Sequence, residues 1–307
     1  MRQNPCLTRP CIQDSPVTSS LRAPTALMPL LFVLLWSTGF IGAKFGLPYV
    51  EPLTFLSTRY LLVIGLMTAL ALATRAPWPR SAGQWLHIGV TGLLVHGVYL
   101  GGVFIAISHG LPAGITSLVV GLQPLLTALG AGWLLGEQVR PRQWLGLVLG
   151  FGGVTLVVGS KLGGVAAGDF GAMLLPALLA LLGITVGTLY QKRYCPSFDL
   201  RTGSVIQFVP TLLLTAAVAR ATETMQITWS GEFMFALLWL VLVLSLGAIS
   251  LLNLLIRSGG AVNVASLFYL TPPCTALIAW AIFGETLGLT ALAGMVIAVA
   301  GVALARR

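Results

Sequence analysis

Three polar side chains stand inside long apolar stretches of the chain, and their types indicate binding of a solute rather than catalysis. Arg59 is a formal charge within such a stretch, where a buried cation is costly and a solute carboxylate would be a suitable partner. The structural alternative is that its long side chain extends to the nearest polar surface. His96, with Tyr99 on the next turn, could bind a solute or change its charge near neutral pH. Its alternative is a neutral histidine hydrogen-bonded to a neighbouring helix.

Two prolines interrupt apolar stretches at corresponding places in the chain. Each removes one backbone donor and frees the carbonyl four residues earlier, at Val120 for Pro124 and at Phe268 for Pro272. We expect a polar spot and a bend that serves a moving helix, with a simple packing kink as the alternative. The residues expected to share one central cavity at the level of these prolines are His96, Tyr99, Gln123, Tyr269 and Thr271.

Further polar and aromatic residues extend this candidate site. Trp36 and Tyr190 could line or cap the cavity, although tryptophan and tyrosine are more common at the edges of a membrane. Asn253 and Asn263 could face the cavity or form hydrogen bonds between helices. The complete set of predicted substrate-binding residues is Trp36, Arg59, His96, Tyr99, Gln123, Tyr190, Tyr269 and Thr271.

Catalytic and metal-binding patterns are missing from the sequence. It contains no HExxH, no Gly-x-Ser-x-Gly and no Gly-rich phosphate loop, and its four cysteines show no CxxC or Cys/His spacing. Glu137 and Glu285 each end an apolar stretch, and we expect Glu137 to pair across a loop with Arg140 or Arg142. We therefore expect neither an enzyme, nor a metal site, nor a cofactor.

The composition identifies the solvent of this chain. Of its 307 residues, 57% are hydrophobic and 8% are charged, whereas about 25% are charged in an ordinary soluble domain. Too few polar side chains are present to cover a soluble surface, so the solvent is the lipid bilayer. The net charge of +9 comes from lysines and arginines between apolar runs, rather than from a basic stripe with interleaved aromatics, which argues against nucleic acid as a partner.

Uncharged stretches predict ten transmembrane helices in an all-α fold. Each stretch suits one crossing of a hydrocarbon core roughly 30 Å thick, at about 1.5 Å per residue. Residues 81–136 contain no charged residue and must turn back once, which the proline and glycines between His109 and Gly114 permit. Residues 23–43 are interpreted as an uncleaved first helix rather than a signal peptide. Gly146 and Gly150 have the spacing that lets two helices approach closely.

The second half of the chain repeats the first at an offset of 148 residues, so that Glu137 falls on Glu285 and Pro124 on Pro272. Each repeat holds five helices, an odd number, so the second must enter the membrane from the opposite side. Most lysines and arginines then lie on the side of both termini, which predicts that the termini are cytoplasmic. The predicted organisation is a cytoplasmic tail at 1–25 and inverted five-helix repeats at 26–160 and 170–307.

Short motifs in both repeats resemble the EamA-type domain. In the first repeat they are Leu35-Trp36-Ser37-Thr38-Gly39-Phe40, Thr58-Arg59-Tyr60, and Gln123-Pro124 followed by Gly136-Glu137. In the second they are Thr271-Pro272 followed by Gly284-Glu285. Two such domains in tandem resemble the drug/metabolite transporter superfamily. The resemblance implies a ten-helix transporter, commonly an inner-membrane exporter of amino acids or other metabolites, with a cavity lined mainly by helices 3, 4, 8 and 9 and also by 1 and 6.

These observations predict a secondary transporter of the inner membrane that exports a small metabolite by alternating access, with one small-molecule substrate and the bilayer as its partners. The first and sixth helices contain no acidic residue, and His96 is the one titratable candidate at the midplane. Arg59 would repel a permanently cationic drug. We therefore expect uncoupled or exchange transport of a neutral, zwitterionic or anionic solute, with a proton-coupled multidrug carrier as the alternative.

An intramembrane enzyme and a membrane scaffold are the rival classes of function. The enzyme would require a nucleophile with a base, or a metal site, within the apolar stretches, and the scaffold would not require inverted repeats. The substrate, the direction of net flux and the oligomeric state stay open at this point.

Overall fold

The computed structural model describes residues 22–111, 113–159, 170–195, 197–283 and 288–305, and most of these residues are helical. The first repeat forms five helical units: α1 (Arg22–Gly46), α2 (Pro52–Ala73), α3 (Ala82–Ser108), α4 (Ala113–Val120 and Gln123–Leu135) and α5 (Pro141–Gly159). The second repeat forms five more: α6 (Phe170–Tyr194), α7 (Leu200–Thr222), α8 (Gly231–Ser258), α9 (Ala261–Ala265, Ser266–Leu270 and Thr271–Phe283) and α10 (Leu289–Ala305). By length and composition, six of these helices (α1, α2, α3, α6, α7 and α8) are able to cross a membrane.

The two halves show the same irregularities at equivalent places. The second segments of α4 and α9, Gln123–Leu135 and Thr271–Phe283, both have 13 residues and start at positions 148 apart. A π-helical stretch occupies the middle of α3 at Leu93–Leu100 and the middle of α8 at Leu240–Ala248. Because both the breaks and the π-helical stretches recur, the predicted internal repeat holds at the level of the backbone.

The two repeats are inverted, since equivalent helices run antiparallel. At the start of α2, the backbone N–H groups of Leu53 and Thr54 donate to Glu223, which follows the end of α7. At the other end of the bundle, the hydroxyl of Thr202 at the start of α7 donates to the carbonyl of Pro77, beyond the end of α2. The prediction of an all-α fold with two inverted five-helix repeats is confirmed.

Helices α5 and α10 form the closest antiparallel pair, and small residues make their approach possible. A Cβ added at Gly146 would lie 2.6 Å from the carbonyl oxygen of Gly301, and one added at Gly153 would lie 2.6 Å from that of Gly294. No side chain fits at these crossings because the obstacle is backbone. The glycine spacing noted in the sequence therefore marks a real helix contact.

The two ends of the bundle differ in charge. We call one the basic end; its lysines and arginines are Arg75, Arg80, Arg140, Arg142, Lys192, Arg193, Arg201 and Arg257, alongside Glu137 and Asp199. The opposite, acidic end carries Glu51, Glu223 and Glu232 beside Arg220. Between these ends, the described surface of the bundle is apolar and suits contact with lipid.

Glu137 has a different partner from the one predicted. Its two carboxylate oxygens accept the backbone N–H of Ala261 at 3.2 and 3.1 Å, so the side chain caps the start of α9 instead of pairing with an arginine across the loop. The N-terminus of a helix carries unpaired N–H groups and a partial positive charge, which explains the preference. The equivalent Glu285 lies outside the described residues.

We expect the substitution Glu137→Ala to lower the melting temperature of the purified protein by a few degrees, because loss of a helix cap costs about 1 kcal/mol. The matched control is Gln138→Ala, at the exposed neighbouring position. Differential scanning fluorimetry in detergent measures both. An equal loss of stability in the two variants would contradict the capping role.

Candidate functional site

A small buried cavity lies between α1, α2, α3 and α8, in the half of the bundle near the acidic end. It leaves about 40 Å³ for the centres of water molecules, which is room for a few waters and too little for a metabolite. Its polar and aromatic walls are Trp36, Phe40, Arg59, His96, Tyr99 and Phe104. Four of the eight predicted substrate-binding residues thus come together in one place.

The π-helical stretch of α3 presents His96 to this cavity. The carbonyl of His96 accepts the Tyr60 hydroxyl at 2.7 Å, and its ring stacks on Phe208 of α7 with centroids 4.3 Å apart. Gln207 of α7 approaches the imidazole, yet neither ring nitrogen of His96 nor Oε1 of Gln207 has a well-formed hydrogen bond. Within the described part of the chain, this histidine is therefore held by its backbone and ring face, with Gln207 close to its nitrogen atoms but no well-formed hydrogen bond to either.

Arg59 is buried in the wall of the cavity, with 3% of its surface exposed. Its Nε donates to Oγ of Ser245 at 3.1 Å, and Ser245 in turn donates to the carbonyl of Leu240 within the π-helical stretch of α8. In the described part of the chain, Arg59 forms no ion pair with a carboxylate, because the acidic residues there lie at the two ends of the bundle. Among the described residues, this buried cation therefore has no counterion.

Aromatic rings close the cavity towards α9. Trp36 stacks on Tyr99 with centroids 6.3 Å apart and an interplanar angle of 8°. Phe268 of α9 contacts Trp36 edge-on at 5.3 Å. A second, smaller space adjoins this wall and is lined by Trp36, Tyr99, Phe268, Thr271 and Pro272. Thr271 and Pro272 therefore lie next to the central cavity rather than within its main wall.

The sequence predicted that Pro272 leaves the carbonyl of Phe268 without a backbone donor, and the structure differs from this prediction. The preceding turns, Ser266–Leu270, adopt the tighter 3₁₀ form, in which the N–H of Thr271 donates to the carbonyl of Phe268. The carbonyl of Thr271 accepts the hydroxyl of Ser37 at 3.3 Å, which ties α9 to α1. Pro124 likewise stands in the first turn of a new helical segment, where its missing N–H leaves no hydrogen bond unmade. Both prolines thus mark helix breaks rather than simple kinks.

Three predicted substrate-binding residues lie away from the central cavity: Gln123 and Tyr269, which were expected to share it, and Tyr190, which was expected to line or cap it. Gln123 lines a separate small space towards the basic end, with Thr188 and Lys192. Tyr269 packs against Gly150 between α5 and α9, because consecutive residues of a 3₁₀ turn point to different sides and Phe268 takes the inner side. The hydroxyl of Tyr190 bonds Nδ1 of His87 at 2.6 Å, near the basic end.

The two asparagines form hydrogen bonds between helices. Asn253 accepts from Nε2 of Gln191 at 2.8 Å, and Asn263 accepts from Nε2 of Gln143 at 3.3 Å. Of the two readings open from the sequence, the structure therefore supports the interhelical one for their side-chain oxygens.

Two residues of the site were missed by sequence reasoning. Ser245 carries no signal of its own, since a serine in a helix is common and its repeat counterpart is Gly97. Gln207, in contrast, could have been found, because the offset of 148 residues pairs it with Arg59. The inverted repeats bring these two equivalent positions, on α2 and α7, close to His96.

Comparison with known proteins identifies the family. The model of the EamA-like transporter family matches residues 23–159 and again residues 171–307. The chain belongs to the EamA-like transporter family. Together with its apolar helices, this membership makes it a multi-pass membrane protein of the drug/metabolite transporter type.

Individual relatives of this EamA-like protein cover most of its length. The uncharacterized transporter YvbV of Bacillus subtilis is 29% identical over 91% of this chain and 90% of the relative. A probable amino-acid metabolite efflux pump of Salmonella typhimurium is 29% identical over 89% of this chain and 92% of the relative. One solved crystal structure shares the fold with a TM-score of 0.74, at 23% identity over 92% of this chain and 96% of that chain.

The lining of the cavity differs from the one that the resemblance implies. In this EamA-like protein, α2 contributes Arg59 and α8 contributes Leu240 and Leu244, together with residues of α1 and α3. Described residues of α4, α6 and α9 are absent from its lining and line two smaller spaces instead, one adjoining the cavity and one towards the basic end.

Proposed function

We propose that the protein is a secondary transporter that exports a small zwitterionic or anionic metabolite by alternating access, with the central cavity as its binding site. The observation that carries this proposal is Arg59, a cation buried in the cavity wall without a carboxylate partner among the described residues. A guanidinium matches a carboxylate group in charge and in the geometry of its donors. A solute with a carboxylate would supply the counterion that the described residues do not provide.

The inverted repeats support alternating access. The cavity is enclosed by helices of both repeats and is too small for a metabolite, as expected of a closed state in such a cycle. Two repeats of opposite orientation can exchange their conformations, which moves the opening from one face to the other. The efflux pump of Salmonella, a relative over most of the chain, supports export and an amino-acid-like substrate.

The surroundings of His96 favour exchange over proton-driven transport of cations. The charge that faces its ring is Arg59, and the other neighbours, Tyr60, Tyr99, Gln207 and Phe208, are uncharged. A cationic drug would meet the same uncompensated charge and would be repelled in this apolar setting. For orientation, we assign the basic end and both termini to the cytoplasm, following the positive-inside tendency.

The test is counterflow in proteoliposomes that contain the purified protein. Vesicles preloaded with unlabelled amino acids and other small carboxylates are diluted into a labelled form of each compound, with and without an imposed pH gradient. We expect exchange of at least one zwitterion or anion without a pH gradient. Transport restricted to cations, or gradient-driven accumulation that persists in the His96→Ala variant, would contradict the proposal.

A further inference from the structure

The loops of the two repeats are tied together at the acidic end by a carboxylate. Glu223, after α7, accepts the N–H of Leu53 at 2.8 Å and both the N–H and the hydroxyl of Thr54 at 2.7 Å. It thereby caps the start of α2 in the other repeat. Hydrogen bonds to a charged acceptor at a helix N-terminus are among the stronger ones in proteins.

A second carboxylate makes the reciprocal connection. Glu51, just before α2, accepts the N–H and the hydroxyl of Thr224, each at 2.7 Å. The hydrogen bond from the Thr224 hydroxyl holds the pKa of the Glu51 carboxyl below its usual value. An antiparallel bridge between Val50 and Ile227 continues the contact. We call Glu51, Thr54, Glu223 and Thr224 the carboxylate latch.

A layer of phenylalanines lies directly beneath the latch. Phe55 of α2 contacts Phe104 of α3 at 5.6 Å and Phe233 of α8 at 5.2 Å between ring centroids, and all three side chains are buried. Phe104 also lines the central cavity. Along α2, Phe55 stands between the latch at Thr54 and the cavity residue Arg59.

On the far side of this phenylalanine layer, the protein opens into a bowl. It leaves about 540 Å³ for the centres of water molecules and is lined by Leu47, Tyr49, Glu51, Ile107 and their neighbours. Along α3, Ile107 of the bowl follows Phe104 by one turn, and the bowl residue Leu47, directly after α1, lies four residues beyond Ala43 of the cavity. On α2 and α3, residues of the layer and the latch therefore lie between the bowl and the cavity.

At the basic end, the repeat-equivalent positions, 148 residues away in the chain, do not carry the same residues. The counterparts of Phe55, Phe104 and Phe233 are Gly203, Leu252 and Trp85, and the counterpart of Glu223 is Arg75. The counterpart of Glu51, Asp199, is engaged by its own neighbour Arg201 at 2.6 Å. The connection from α7 to the α2 loop there is the neutral bond from Thr202 to Pro77.

We infer that the carboxylate latch and the phenylalanine layer form the gate of the acidic end, and that the latch residues hold the solute-free protein closed at this face. Opening towards the bowl requires the charge-assisted bonds of Glu51 and Glu223 to break. At the basic end, the counterpart α7–α2 bond from Thr202 to Pro77 is neutral, and the Glu137 cap on α9 accepts one N–H at 3.1–3.2 Å. The inference rests on the proposed function only for the role of the gate in transport; the closed face itself is a property of the solute-free protein.

The experiment measures access to the cavity from each side of the membrane. Ala43→Cys places a thiol at the cavity wall nearest the bowl, in a background whose four native cysteines are replaced by alanine. A membrane-impermeant maleimide is applied to right-side-out and to inside-out vesicles. The latch is weakened by the double substitution Glu51→Gln, Glu223→Gln, and the matched control is Glu232→Gln, an exposed carboxylate at the same end.

We expect the double variant to be labelled about tenfold faster from the acidic end and more slowly from the basic end, because weaker neutral bonds replace charge-assisted ones and shift the population. Glu232→Gln should match the parent. Thr224→Val, a milder change, should raise labelling in the same direction, and so should Phe104→Ala with an intact latch. Unchanged labelling in the double variant and in Thr224→Val, both monodisperse on size exclusion, would overturn the inference.

The result also separates this inference from the proposed function. Faster labelling without any counterflow of zwitterions or anions would leave the gate in place and remove the proposed substrate class. Normal counterflow, together with labelling that does not respond to the latch variants, would support the proposed substrate class and overturn the gate.

Discussion

Replacing Arg59 with leucine is expected to reduce exchange of the transported solute at least about 100-fold. If a solute carboxylate takes two charge-assisted hydrogen bonds from the guanidinium, the variant loses about 1.5–3 kcal/mol for each of them. The same variant is expected to be at least as stable as the parent, because a buried cation without a counterion is removed from an apolar setting. Counterflow and the melting temperature in detergent measure the two effects separately.

Two controls refine this prediction. Arg59→Lys keeps the charge but loses the planar fork and the Nε bond to Ser245, so an intermediate loss of exchange is expected. Ser245→Ala should weaken apparent affinity more than maximal rate, since it frees the guanidinium to rotate without removing its charge. Full exchange by Arg59→Leu would show that the cavity binds its solute elsewhere. A large fall in its melting temperature would show that Arg59 serves packing instead.

The substitution Gly153→Val is expected to have the largest effect on folding. A Cβ at this position would lie 2.6 Å from the carbonyl oxygen of Gly294, and no rotation of a side chain can relieve a clash with backbone. Overpacking of this kind typically costs 1–3 kcal/mol and sometimes more, so we expect a loss of about 3 kcal/mol. The measurement is the melting temperature in detergent, together with the fraction of protein that is monodisperse on size exclusion.

Gly152→Val is the matched control for this substitution. It introduces the same side chain into the same helix one residue earlier, where a Cβ meets no atom within 4 Å. Any cost of placing valine in a helix is therefore common to both variants. Equal destabilisation by the two substitutions would contradict the close backbone contact between α5 and α10.

Much of the architecture follows from the sequence alone. The scarcity of charge required a lipid environment, and the length of each uncharged stretch indicated single crossings. The offset of 148 residues, together with an odd number of helices per repeat, predicted antiparallel copies before any helix was placed. These properties depend on the composition and on the order of residues along the chain, so no knowledge of packing was needed.

The candidate site was predicted only in part. Trp36, Arg59, His96 and Tyr99 line one cavity, and each was identifiable as a polar or large aromatic residue within an apolar run. Their role in substrate binding stays a prediction. Gln123, Tyr190 and Tyr269 were singled out by the same criterion but lie elsewhere in the bundle, because residue type does not reveal which side of a helix faces the centre.

Tertiary structure decided the direction in which each side chain points and the partner that it meets. The 3₁₀ turns before Pro272 send Phe268 inwards and Tyr269 outwards. The π-helical stretches of α3 and α8 bring His96 to the cavity of Arg59 and Ser245 to its Nε. Glu137 and Glu223 cap helices in the opposite repeat, more than 100 residues away in the chain. A change in the number of residues per turn alters which side chains of a helix face the centre of the bundle. A cap forms only where the start of another helix lies close to the capping side chain. Both are set by packing between distant segments, so the order of residues could determine the ten helices and their inversion but not the walls of the cavity.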